Sequence, residues 1–122
     1  MDFSGKKVAV VGYGVEGAAT VEYVSQHGGE VTVCDSNEDI KVSEGVVSQF
    51  GKDYVADLDE YDYIFRSPSV RPEVLEQYTS VTTSTRLFFD QTPALTIGVT
   101  GTKGKGTTST LIAHLLEAVG VK

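Results

Sequence analysis

The 122-residue chain has a single cysteine, Cys34. One thiol excludes an internal disulfide framework and any metal site built from several cysteines. Basic residues are also scarce, ten against seventeen acidic ones, for a net charge of −7. Binding that coats a duplex needs a basic face to release counterions, so no nucleic-acid partner is expected. No apolar run approaches the roughly 20 residues that cross a bilayer, and Met1-Asp2-Phe3-Ser4-Gly5 lacks the apolar core of a signal peptide. No membrane association is expected, and the compartment expected is the cytoplasm. Internal repeats, low-complexity tracts and zinc-like spacings of His, Asp and Glu are missing as well. What remains is a globular composition, 40% hydrophobic and 22% charged, with enough chain to bury a core.

Glycine, by contrast, is abundant, at 13 residues. Seven of these fall in two stretches, Gly12, Gly14 and Gly17, then Gly98, Gly101, Gly104 and Gly106. Each stretch follows or closes an apolar, strand-like run, which suggests two places where backbone comes close to a ligand. Around them the pattern alternates strand and helix, predicting an α/β fold with a parallel sheet. Val8–Val11 reads as a strand covered on both faces. Val15, Ala18, Ala19 and Tyr23 recur at helical spacing, and His27-Gly28-Gly29 ends that helix. Val31–Cys34 is a second strand. A short helix is expected over 43–50, a weak strand near Tyr54-Val55, and a further strand over 61–65. Pro72 opens a helix, Val81-Thr82-Thr83 is extended, and Arg86–Phe89 is a short helix. The chain then begins again. Leu95–Val99 reads as a strand, 101–106 as a loop, and Leu111, Ile112, Leu115, Leu116 and Val119 as the apolar stripe of a helix. Two segments follow from this: a Rossmann-like domain over 1–92 and, over 93–122, the truncated opening of a second domain.

Gly12-Tyr13-Gly14-Val15-Glu16-Gly17 is G-x-G-x-x-G between a strand and a helix. The first glycine permits the turn, the second lets backbone approach a phosphate, and the third lets helix and strand pack closely. Asp35 ends the second strand, eighteen residues past Gly17, where a carboxylate can accept from ribose hydroxyls. By spacing alone the ligand is a dinucleotide such as NAD, and a regulatory NAD-binding domain is the alternative function. In the second stretch, Thr100–Thr108, several backbone N–H groups could cradle a triphosphate, with Lys105 on its terminal phosphates. The strict G-x-x-x-x-G-K-[ST] pattern is not met, because Gly106 stands where a hydroxyl is expected. Thr107 or Thr108 would therefore supply the metal-binding oxygen.

Gly101-Thr102-Lys103-Gly104-Lys105-Gly106-Thr107-Thr108 resembles the ATP loop of the Mur ligases and of the related folylpolyglutamate synthases. A G-x-G-x-x-G domain of some 90 residues, Ser67-Pro68 after a strand and then this loop follow the Mur ligase order. The likeness is greatest to the D-glutamate-adding branch and covers essentially the whole chain. It implies a first domain that holds the UDP part of a peptidoglycan precursor. Gly14, Val15 and Glu16 would lie near pyrophosphate or uracil, Asp35 and Ser36 near uracil or ribose, and Ser67, Pro68 and Ser69 along the pocket. It also implies ATP and Mg²⁺ on residues 101–108, with Lys105 catalytic and Thr107 on the metal. The implied substrates are UDP-N-acetylmuramoyl-L-alanine and D-glutamate, joined through an acyl phosphate. The full-length enzyme is expected to be a monomer, and this chain alone to be inactive. Two departures stand out: Ser67-Pro68-Ser69 where the family has Ser-Pro-Gly, and Arg86-Leu87-Phe88 where it has a glutamate before Leu-Phe.

Other residues carry less. Cys34 lies within a strand and reads as core. His27 sits at a helix end that favours a cation, and His114 lies on the last helix. Asp57, Asp59, Glu60 and Asp62 read as a solvated acidic run.

Overall fold

The computed structural model describes residues 1–121; Lys122, the last residue of the expected second segment, lies outside the described residues. The chain divides after Thr92 into two units.

The first unit is built on five parallel strands in the order β3-β2-β1-β4-β5. They are β1 (Lys7–Val11), β2 (Glu30–Asp35), β3 (Val47–Phe50), β4 (Tyr63–Arg66) and β5 (Val81–Thr82). β1 is central because Val8-Ala9-Val10-Val11 is apolar at every position, and all four side chains are buried. Successive residues face opposite sides of the sheet, so the strands feed two cores. Val8, Val10, Val31, Val33 and Phe65 pack with Phe3, Val21, Val24 and Leu87 on one face. Ala9, Val11, Cys34 and Ile64 pack with Leu58, Leu75 and Tyr78 on the other. The register is Val10 opposite Val33 and Phe65.

Two α-helices contribute to the first face, α1 (Val15–Gln26) and α2 (Ser84–Gln91). The expected apolar spacing of α1 picked the wrong stripe: Val15 is 92% exposed, and Gly17, Thr20, Val21 and Val24 are the buried positions. Gly17 takes the place of a larger residue because the helix lies against the loop that starts it. The helix stops as expected, with Gly28 at φ 80° and the amide of Gly29 bonded to the carbonyl of Val24. Thr83 caps α2 by accepting from the Arg86 amide at 3.2 Å. On the second face the cover is shorter, two 3₁₀ turns at Leu58–Glu60 and Pro72–Leu75. Proline begins the latter, as read from sequence, but only one turn of 3₁₀ helix follows.

Three local expectations are corrected. Residues 43–50 do not form a helix, since Val47–Phe50 is β3, paired with Thr32–Asp35. The edge of β2 offers a ladder, and pairing overrides a spacing of Val46, Val47 and Phe50 that also suits a helix. Tyr54-Val55 is turn rather than strand. In the second unit, Leu95–Val99 is not a strand, because a strand exists through its pairing and the unit supplies no partner strand among the described residues.

That second unit consists of the 93–104 segment and α3 (Lys105–Ala118). Gly104 stands before α3 in the left-handed conformation, φ 78°, and Gly120 follows it at φ 82°. Among the described residues of the unit no second element covers the helix's apolar stripe, and Leu111, Leu115 and Val119 are exposed. No helix among the described residues is long and apolar enough to cross a membrane.

Candidate functional site

In the first unit the chain leaves β1 in one direction to β2 and later returns on its other side as β4. The gap between those exits, at the carboxyl ends of the strands, is where open α/β sheets receive ligands. The glycine loop leaves β1 there, Asp35 ends β2 there, and Ser67-Pro68-Ser69 follows β4.

The loop's three glycines turn out to have different roles. A Cβ on Gly12, already at φ +90°, would come within 2.9 Å of the Ser67 Cβ and of the Val70 methyl. One on Gly17 would sit 2.3 Å from the backbone oxygen of Gly12. Both glycines are therefore demanded by the fold itself. Gly14 has ordinary dihedrals, φ −90° and ψ −162°, and nothing within 4 Å of its Cβ position. Neither packing nor backbone strain requires glycine there. It immediately precedes α1, whose first N–H groups no side chain caps, so the open space lies beside donors suited to an anion.

Hydrogen bonds fix the surrounding frame. The Asp35 carboxylate accepts from the Tyr13 amide at 2.8 Å with one oxygen and from the Asn37 amide at 2.9 Å with the other. It thus ties the end of β2 to the glycine loop while lone pairs remain for a ligand. Ser67 is buried, and its hydroxyl donates to the Gly12 carbonyl at 2.5 Å. Its amide bonds the Val11 carbonyl at 3.0 Å. Arg66 Nη1 donates to the Val70 carbonyl at 2.5 Å, closing the 67–70 turn. Glu16 accepts from the Ser84 hydroxyl at 2.8 Å, which joins the starts of α1 and α2.

A cavity of about 350 Å³ opens in this region, lined by Gly12, Asp35, Ser36, Tyr54, Ser69, Val70, Arg71 and Val74. It brings together three of the expected site residues, Asp35, Ser36 and Ser69. Gly14, Val15 and Glu16 are outside its lining, Pro68 is exposed, and Ser67 acts through its bond to Gly12. Tyr54 and Arg71 were not legible from sequence. They lie far apart in the chain and belong to no motif, and only the exits of β3 and β4 place them together. A larger, open groove of about 1220 Å³ runs along α1, β2 and β3 to Lys7, Glu60 and Tyr61. It extends away from the strands' carboxyl ends and follows from the β2–β3 connection, which carries no helix.

Cys34 lies beneath this frame, fully buried, and burial pushes its thiol up to about 12. It is core, not a nucleophile. His27 stacks on Tyr23 at 4.0 Å and bonds its carbonyl at 2.7 Å through Nδ1. His114 stands 3.7 Å from Glu117.

The second glycine stretch, in the second unit, runs through Gly101, at φ +148°, and Gly104 into α3. Helix geometry leaves the N–H groups of Lys105, Gly106 and Thr107 without intrahelical acceptors. No side chain caps them and the first turn carries no acid. The Lys105 ammonium folds back to 2.6 Å from the Gly101 carbonyl. Ser109 and Thr110 spend their hydroxyls on the carbonyls of Lys105 and Gly106, whereas Thr107 and Thr108 make no such bond among the described residues. This donor set suits a polyphosphate: unclaimed N–H groups, a cation and two uncommitted hydroxyls.

No protein-family model matches the chain. Along nearly all of its length, however, it is similar to curated proteins named UDP-N-acetylmuramoylalanine–D-glutamate ligase. It is 35% identical to that of Acetivibrio thermocellus over 132 residues, which covers 96% of this chain and 28% of the relative. For the Ruminiclostridium cellulolyticum protein the identity is 33%, over 99% of this chain and 29% of the relative. For the Clostridium botulinum protein it is 34%, over 96% and 29%. The resemblance to the Mur ligases, and to their D-glutamate-adding branch, is borne out. The chain spans less than a third of the length of the curated relatives it matches.

Proposed function

We propose that the first 92 residues anchor the UDP part of a peptidoglycan precursor and that residues 93–122 open the ATP-binding domain of a D-glutamate-adding ligase. The observation that carries the first half is Gly14: a glycine that the fold does not need, beside an uncapped helix start and next to the switch point of the sheet. The near end-to-end similarity to D-glutamate ligases supports uridine diphosphate over a dinucleotide as the ligand.

In this reading Gly14, Val15 and Glu16 lie along the pyrophosphate, with Gly14 keeping the approach clear. Asp35 and Ser36 meet the ribose or uracil, and Ser67, Pro68 and Ser69 shape the pocket wall. Ser67 does so by holding the Gly12 carbonyl. Residues 101–108 cradle the phosphates of ATP, with Lys105 neutralising the charge on the phosphoryl group in transfer and Thr107 offering its hydroxyl to Mg²⁺. ATP held there would supply the phosphoryl group that converts the carboxylate of UDP-N-acetylmuramoyl-L-alanine to an acyl phosphate with release of ADP, and the amine of D-glutamate would then attack the acyl carbon, forming the amide and displacing inorganic phosphate. The chain by itself holds the precursor but does not complete the reaction.

Calorimetric titration with UDP and with NAD tests the anchor. UDP binding that Gly14→Val abolishes, with no heat from NAD, is expected. Binding of NAD alone would replace this reading with a dinucleotide domain. ADP release by the chain that depends on both substrates would refute its inactivity.

A further inference from the structure

Among the residues lining the 350 Å³ cavity, Arg71 is the single cation and Asp35 the single acid. Elsewhere in the unit Lys6 pairs with Asp62, Lys7 with Glu60 and Arg86 with Asp90, Arg66 is spent on carbonyls, and Lys41 and Lys52 are outside the cavity lining. Arg71 makes no ion pair or side-chain hydrogen bond with any of the described residues. Its backbone is committed: extended, at φ −65° and ψ 142°, it precedes the 3₁₀ turn, and its carbonyl accepts from the Val74 amide at 3.2 Å. The side chain is thus based on a fixed point at the cavity rim with its five donors unclaimed. The other walls are unlike it. Tyr54, Val70 and Val74 are half-buried and pack against the second core, and with Gly12, Ser36 and Ser69 they complete a slot of mixed polarity large enough for a flat ring.

We infer that Arg71 is a specificity-determining residue that selects a keto pyrimidine, uracil, as the base entering this slot between Tyr54 and the valines. This rests on the uridine reading above and extends it to a residue outside the glycine loop, Asp35-Ser36 and Ser67–Ser69. A guanidinium only donates. Uracil presents two carbonyl oxygens at its edge, and one of them, O4, becomes an exocyclic amine in cytosine. Adenine likewise presents an amine. Where that edge faces the guanidinium, either amine would set donor against donor beside a positive charge. A site built to donate to a carbonyl therefore rejects the amino analogue.

The test is equilibrium binding of UDP and CDP to the wild-type chain and to Arg71→Gln, with urea unfolding of both to confirm the fold. Arg71 is exposed, so the unfolding midpoint should not move. The wild type should bind UDP roughly tenfold or more tighter than CDP. Arg71→Gln should bring the two within about threefold, chiefly by weakening UDP. A variant that keeps the wild-type ratio, or a wild type that binds both equally, would overturn the role of Arg71 and leave uridine diphosphate anchorage standing. A wild type that binds neither would overturn the anchorage reading and this inference with it.

Discussion

Replacing Gly17 by alanine isolates the packing of α1 against the loop that begins it. The new methyl would sit 2.3 Å from the Gly12 carbonyl oxygen, far inside contact distance. That oxygen cannot swing aside, because the Ser67 hydroxyl holds it at 2.5 Å. The helix must therefore lift or the bond must break. Overpacking of this kind costs about 1–3 kcal/mol, and a rigid backbone obstacle places it near the upper end. Alanine repays about 1 kcal/mol through helix propensity, which leaves a net loss of about 2 kcal/mol. With a urea slope of about 1–2 kcal/mol/M for a small domain, the unfolding midpoint should fall by about 1–2 M. Gly14→Ala is the matched control. Its Cβ meets open space at ordinary dihedrals. The small loss at a helix cap and the entropy gained in the unfolded chain nearly cancel, within about 0.5 kcal/mol. Urea titrations followed by circular dichroism measure both. A Gly17→Ala chain as stable as wild type would refute the close-packing account. A Gly14→Ala chain that fell equally far would show that Gly14, too, serves the fold.

Three further outcomes follow from the same frame. Ser67→Ala removes the donor to the Gly12 carbonyl inside the fold and should cost about 1–3 kcal/mol in urea unfolding; an unchanged midpoint would mean that the bond carries no weight. The buried Cys34 thiol, held near 12, should resist a disulfide reagent at pH 8 in the native chain and react at once in guanidinium; prompt native reaction would contradict its burial. Asp62 accepts from the Lys6 ammonium and the Lys7 amide, each at 2.9 Å, and these bonds hold its carboxyl below the usual range. Its stabilising contribution should be complete above the ordinary carboxylate pKa and fade as pH falls through the lowered one, so Asp62→Asn should lower the midpoint at pH 7 and not at strongly acidic pH. An equal loss at both would remove the charge from the explanation.

Much of this architecture was legible because it is local. β1 and β2 announce themselves as apolar runs, since a strand buried on both faces has no polar side to alternate with. The glycine loop and Asp35 stand at fixed distances from those strands. What was not legible depends on partners. Val46, Val47 and Phe50 suit either a helix or a strand, and only the free edge of β2 decides. Leu95–Val99 has the composition of a strand but no strand beside it among the described residues. On α1, Val15 looked like core and Gly17 did not, because glycine is buried there by close approach rather than by hydrophobicity. The cavity was half legible for the same reason. Asp35, Ser36 and Ser69 come from motif positions, whereas Tyr54 and Arg71 reach it only through the tertiary placement of two loops.

The most direct test of the central claim is an amide-resolved NMR titration of the chain with UDP and, separately, with NAD. UDP should shift the amides of Gly14, Asp35 and Ser67 together, with those of Tyr54 and Arg71 moving alongside, while NAD leaves them in place. Shifts on NAD alone, or UDP shifts confined to residues away from the carboxyl ends of the strands, would contradict the account.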